Sequence, residues 1–170
     1  MPSVTGPIPI TPDSQPYRGR LVGQAPRGYV EQEAFVSCTA LGEHYRTLIH
    51  VRRPVRPSRF SGDVVTEPVH PSDLWPIMST TTSYWPTAGH ASVVVVSSPF
   101  VLNNVAKPSN PGRYADLDIP ATPGVERAIL AQVGALLQSN SSTEPLPGLR
   151  VRRVVLGGYS NRVRWCGTSS

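Results

Sequence analysis

VRRVVLGGYS, residues 151–160, is the stretch on which the reading of this chain turns. Its β-branched run suits a strand, and the strand climbs into Gly157-Gly158-Tyr159-Ser160. A serine placed two residues after a glycine, at the end of a strand, can sit on a tight turn that lifts its hydroxyl clear of the sheet. Side chains two residues before and two after such a serine collide, so both positions favour glycine. Gly158 fills the first position, and Arg162 stands at the second. Gly-x-Ser also occurs in ordinary turns, so the elements around it decide its meaning.

Upstream, Thr122 can cap a helix, Pro123 fits its first turn and Glu126 suits its positive end. Ile129, Val133, Leu136 and Leu137 then recur at helical spacing, until Ser139-Asn140-Ser141-Ser142 ends the run. Residues 99–121 carry Pro, Asn and Gly with no period and read as a long loop, functional or disordered. HASVVVVSS, residues 90–98, is an unbroken apolar run of the kind buried on both faces in a parallel sheet. Ser72 or Asp73 can open a helix that shows Leu74, Trp75, Ile77 and Met78 on its apolar side, ended by Pro86. DVVTEPV, residues 63–69, reads as a short buried strand.

Residues 28–40 and 43–54 read as an antiparallel pair around Leu41-Gly42. In the second, Tyr45, Thr47, Ile49 and Val51 share one face, Arg46, Leu48, His50 and Arg52 the other, and Pro54 ends it. Residues 1–28 are rich in Pro and Gly and read as an extended arm. The predicted class is therefore α/β: an antiparallel strand pair leading into a mostly parallel sheet flanked by helices, in one domain over residues 1–170.

Composition bounds the function. The chain has 170 residues, 39% of them apolar and 16% charged, which supports a core. Its 19 prolines and 14 glycines predict short elements joined by many turns. No stretch approaches the roughly 20 apolar residues of a membrane helix. The start lacks a basic segment followed by an apolar one, so a cytoplasmic location is expected, with no membrane partner. Cys38 and Cys166 read as free thiols, and the four histidines, His44, His50, His70 and His90, are scattered, so no metal and no cofactor is expected. The net charge is +5, with arginines concentrated in 46–59 and 150–164. No aromatic residues interleave with them in a base-stacking pattern, so nucleic acid is the weaker partner class.

Several segments in order resemble the bacterial "alpha/beta hydrolase domain" family of the α/β-hydrolase superfamily. They are TGPIPITPDSQPY, GYVEQEAFVSCTA, YRTLIHVRRPVRPSRFSGDVVTEPVHPS, GHASVVVVSS, NPGRYADLDIP and LPGLRVRRVVLGGYS. The resemblance spans residues 5–160 and implies the N-terminal portion of an α/β-hydrolase fold. It implies esterase-like hydrolysis of a small ester or acyl substrate: Ser160 attacks a carbonyl, a histidine takes its proton and an acid orients the histidine. Asn161 would donate its backbone N–H to the oxyanion, and a second donor would come from the loop around residues 67–70, where His70 lies.

The sequence departs from that pattern after the elbow. No Asp, Glu or His follows Ser160. His70 is the upstream histidine nearest the expected site, and Asp116 and Asp118 are the acids of the long loop. Residues 161–170 read as a divergent tail, expected of a truncated or frame-shifted product. Such a chain is expected to be inactive and to expose the edge of its last strand to self-association. The rival readings are a non-catalytic binding or assembly protein that reuses the fold, and a basic nucleic-acid-binding module.

Overall fold

The structure is a computed structural model that describes residues 2–17, 25–70, 84–139 and 145–158. Six strands form one sheet: β1 (Ser3–Thr5), β2 (Tyr29–Ala40), β3 (Glu43–Pro54), β4 (Asp63–Pro68), β5 (Ala91–Val95) and β6 (Arg153–Leu156). Their order across the sheet is β1-β2-β3-β5-β4-β6. Strands β1, β2, β3 and β5 pair antiparallel in turn, and β4 pairs parallel with both β5 and β6. The sequence expectation of an antiparallel pair feeding a parallel half therefore holds.

The β2–β3 hairpin turns on Leu41 and Gly42, at φ 54° and 85°. Positive φ at both central residues matches the right-handed twist of the flanking strands, and Gly42 adopts it without Cβ strain. The strands run long because their pattern stays consistent: Tyr29 to Ala40 pairs residue by residue with Pro54 to Glu43. Both faces of β3 are covered. Phe35 and Leu48 are register partners on one face, and Ala34 and Ile49 are partners on the other.

Among the described residues, four helical stretches accompany the sheet, beside a single 3-10 turn at Pro57–Arg59. They are α1 (Tyr84–Ala88), α2 (Pro99–Val101, a π turn Leu102–Ala106 and Lys107–Ser109), α3 (Pro111–Tyr114) and α4 (Val125–Gln138). The predicted loop over 99–121 is thus corrected: it is helical from Pro99 to Tyr114. Proline sits in the first turn of three of these pieces, where its missing N–H does no harm. The π turn shifts the register, so Val101, Leu102 and Ala106 are buried without a regular 3.6-residue repeat. The helix expected over 72–86 lies outside the described residues as far as position 83, and α1 continues through Pro86, the residue expected to end it, to Ala88.

Helix α4 matches the prediction, with Val125, Ile129, Leu130, Val133, Leu136 and Leu137 buried. Its cap differs. Gly124 occupies the N-cap at φ 88°, and Thr122 instead donates its hydroxyl to Glu43. Gln132 ties α4 to the hairpin: it accepts from the Tyr45 hydroxyl at 2.9 Å and donates to the Thr39 carbonyl at 2.9 Å.

Strand β6 is half exposed. Val155 and Leu156 are 42% and 40% accessible, because β4 is its one strand neighbour among the described residues. The core is centred on β3 and β5, where Leu48, Ile49, Val51, Val93 and Val95 are fully buried. Leu48→Ala is expected to lower stability by about 2–5 kcal/mol through lost burial and the cavity left behind. A urea titration followed by circular dichroism checks this.

Candidate active site

The order of the parallel strands locates the site. From β4 the chain passes to β5 on one side of β4, and from β5 it passes to β6 on the other. Right-handed crossovers in opposite directions run over opposite faces of the sheet. A topological switch point, the position of the ligand crevice in open α/β sheets, therefore falls at the C-terminal ends of β4 and β6.

Three strand ends meet there. The β4 end supplies Thr66, Glu67, Pro68, Val69 and His70, the β5 end supplies Ser97 and Ser98, and the β6 end supplies Gly157 and Gly158. The ladder persists past the strands. Gly157 N donates to the Thr66 carbonyl at 2.8 Å, and Val69 N donates to the Val95 carbonyl at 2.9 Å. Thr66 is in register with Leu156, so Glu67 lies beside Gly157. A methyl group on Gly157 would stand 3.4 Å from the Glu67 Cγ and 3.9 Å from its Cδ. Glu67 is 2% exposed. A buried carboxyl against the glycine that opens the hinge is a group the sequence reading missed. The signal was present: DVVTEPV holds a lone acid inside an apolar run, and such an acid is buried only for a reason. Two further polar atoms at these ends, Thr66 Oγ1 and Ser97 Oγ, are buried without a hydrogen-bond partner among the described residues.

His70 follows β4 at this end of the sheet and is half-buried. Ser160 and Asn161 lie outside the described residues; the chain is described to Gly158, at the C-terminal end of β6. Asp116 and Asp118 do not come to the crevice. Both are exposed, and Asp118 pairs its backbone with Arg46 of β3, on the far side of β5. His50 is buried within β3, and His44 bonds Thr39 at the hairpin.

A Ser–His–Asp grouping does assemble, at the opposite end of the sheet. Ser61 Oγ lies 2.7 Å from His90 Nδ1, and Asp63 Oδ2 lies 3.9 Å from the same nitrogen. A relay needs the serine and the acid on different ring nitrogens, so that the imidazole takes a proton on one side while held on the other. Here both face one nitrogen, at the starts of β4 and β5. Ser61 Oγ also accepts from the Asp63 N–H at 3.1 Å, and Arg153 of β6 bonds Asp63 at 2.6 Å. The cluster staples three strand starts together.

The Arg153 hydrogen bond, with smaller help from the His90 and Arg152 charges, holds the Asp63 carboxyl below the usual carboxylate range. A folded value below the unfolded one adds stability at neutral pH that is lost as pH falls through the folded value. Arg153→Gln is therefore expected to move the acid-unfolding midpoint to higher pH, measured by circular dichroism across an acid titration.

A cleft of about 970 Å³ opens at the hairpin end, lined in part by Cys38, Thr39, His44, Tyr45 and Gln132. Its polar groups bond one another, Tyr45 to Gln132, Gln132 to Thr39 and Thr39 to His44, and it lies away from the β4–β6 crevice. Burial pushes the Tyr45 hydroxyl up, and the neighbouring Cys38 adds to the effect. That keeps the phenol neutral and unsuited to act as a base. Among the described residues no group of three His, Cys, Asp or Glu side chains could hold a metal ion.

Comparison with known proteins agrees with this topology. The model of a family described as "Alpha/beta hydrolase domain" matches residues 4–166. No curated protein and no solved structure matches the chain.

Proposed function

The chain belongs to the alpha/beta hydrolase domain family, and from that premise we propose that it hydrolyses a small carboxylic ester or acyl compound, with Ser160 as nucleophile. One observation carries the reading. Strand β6 ends at the topological switch point and leads through Gly157 and Gly158 directly to this serine.

The chemistry follows from that placement. The Ser160 hydroxyl attacks the carbonyl carbon, and its proton passes to the imidazole of His70, which follows β4 at the same sheet end and stands in for the histidine missing after Ser160; on this reading the chain is active, against the expectation of an inactive truncated product. The tetrahedral oxyanion is held by backbone N–H groups aimed at the position it will occupy. Asn161 supplies one of them from the residue after the nucleophile. In the 67–70 segment Pro68 has no N–H, and that of Val69 is bonded to the Val95 carbonyl. We assign the second donor to the His70 backbone. Collapse of the intermediate expels the alcohol with the proton, and water then releases the acid from the acyl-serine.

Acylation faster than deacylation leaves a kinetic fingerprint. With 4-nitrophenyl butyrate, a burst of about one nitrophenolate per chain is expected before the slower steady state. Release no faster than in buffer contradicts the reading.

A further inference from the structure

We propose that the end of the sheet where β4, β5 and β6 begin is a docking surface for an anionic lipid bilayer. Six arginines gather there: Arg53, Arg56 and Arg59 around the turn after β3, and Arg150, Arg152 and Arg153 on the approach to β6. All but Arg53 are exposed. Their neighbourhood is fixed by contacts. Arg152 lies over Gly62 and bonds the Ser61 carbonyl, and the Arg59 carbonyl packs against Gly89. Val55 N donates to the Gly28 carbonyl at 2.9 Å, and the Tyr29 hydroxyl donates to the His90 carbonyl at 2.9 Å.

Among the described residues the nearby acids are already engaged. Asp63 bonds Arg153, and Glu31 bonds Arg52. Arg56, Arg59 and Arg150 therefore present their charge outward from a chain of net charge +5.

What selects a bilayer over a polynucleotide is the apolar material among these charges. Val55, between Arg53 and Arg56, is 56% exposed, and Tyr84, whose ring centre lies 6.2 Å from that of His90, is 60% exposed. A headgroup layer receives both kinds of group, since guanidiniums meet lipid phosphates while an aliphatic tip and an amphipathic ring enter the interface. A phosphate backbone offers an exposed valine no apolar layer of this kind. The contact is with the membrane surface: no helix among the described residues is long and apolar enough to cross a membrane. The β4–β6 crevice lies at the opposite ends of these strands and would face the water.

Co-sedimentation of the full chain with vesicles tests this. Binding is expected to phosphatidylcholine vesicles carrying roughly a third phosphatidylserine and not to pure phosphatidylcholine, with release as NaCl rises from about 50 to about 500 mM. Arg56→Gln/Arg59→Gln/Arg150→Gln is expected to lower the partition coefficient on the order of 100-fold, about fivefold per charge. Val55→Asp is expected to lower it several-fold more than Leu41→Asp, a change at an exposed apolar site on the distant hairpin turn. Thermal melts of all variants should match the parent, since each position is on the surface. Equal binding to neutral and anionic vesicles, undiminished binding by the triple variant, or binding to duplex DNA with none to vesicles overturns the proposal.

Discussion

Ser160→Ala is expected to reduce ester hydrolysis by about three orders of magnitude or more, to the level that binding and oxyanion contacts alone sustain. The argument is positional. On the proposed reading the substrate sits at the β4–β6 switch point, and Ser160 follows β6 in sequence after Gly157-Gly158-Tyr159. Removing one hydroxyl away from the buried core changes stability by about 0.5 kcal/mol or less, so loss of activity should come without loss of fold. Ser61→Ala is the matched control. Ser61 touches a histidine at 2.7 Å but sits where the parallel strands begin, and its loss should leave the rate unchanged. Initial rates and thermal melts of the three proteins decide the matter. A Ser160→Ala variant retaining more than about a tenth of the rate, or a Ser61→Ala variant that loses it, contradicts the assignment.

Arg113→Met is expected to destabilise the fold by about 3–5 kcal/mol. Arg113 Nε bonds Glu33 Oε2 at 2.8 Å, with both side chains 1% exposed. The Tyr114 hydroxyl bonds both Glu33 oxygens at 3.0 Å and packs its ring edge-on to Phe35. The same guanidinium reaches the arm, bonding the carbonyls of Pro9 at 2.6 Å and Ser14 at 2.9 Å and the Ser14 hydroxyl at 2.7 Å. One cation thus joins β2, α3 and residues 8–14. Without it, Glu33 is left charged and buried, and four acceptors in the arm, the Ile8 carbonyl at 3.3 Å among them, lose their donor. A domain typically holds about 5–15 kcal/mol of stability, so the loss is a large share.

The deficit should depend on pH in a definite direction. Burial already pushes the Glu33 carboxyl up, against the pull of Arg113 and Tyr114. Removing Arg113 drives it further up. A carboxyl whose folded value exceeds its unfolded one binds more protons when folded, so its stabilising contribution falls as pH rises through that window. Arg113→Met should therefore be closest to the parent at about pH 5 and furthest from it at about pH 8. Replacing Glu33 by Leu as well should recover part of the loss, because a buried pair exchanged for apolar groups is often nearly neutral. Recovery stays partial because the arm contacts are not restored. Urea midpoints of the single and double variants measure each claim.

Local chemistry made much of this fold readable. The valine runs of β4 and β5 and the apolar repeat of α4 each specify their element with near neighbours alone. So does the hairpin, where two strands of matching pattern meet at a glycine. Glu33 was different. In the alternation of β2 it reads as one of the polar residues on the strand's outer face, and it is buried because a partner 80 positions away closes over it. Residues 99–114 hid a helical run because Pro108, Pro111 and a π turn break the repeat by which a helix is recognised. The exposure of Val155 and Leu156 depended on strand order, which no periodicity encodes. At the site, Gly158-Tyr159-Ser160 was legible as a pattern. The role proposed for it draws also on topology, which sets the end of β6 beside Glu67.

The most direct test is to find which side chain carries the nucleophile. The full chain is treated with an alkyl fluorophosphonate, digested with trypsin and mapped by mass spectrometry. The account predicts a single phosphonyl group on the peptide spanning residues 154–162, at Ser160, formed in the folded chain and absent after urea denaturation. A label on Ser61, Ser97 or Ser98 instead, or labelling that survives denaturation, contradicts it.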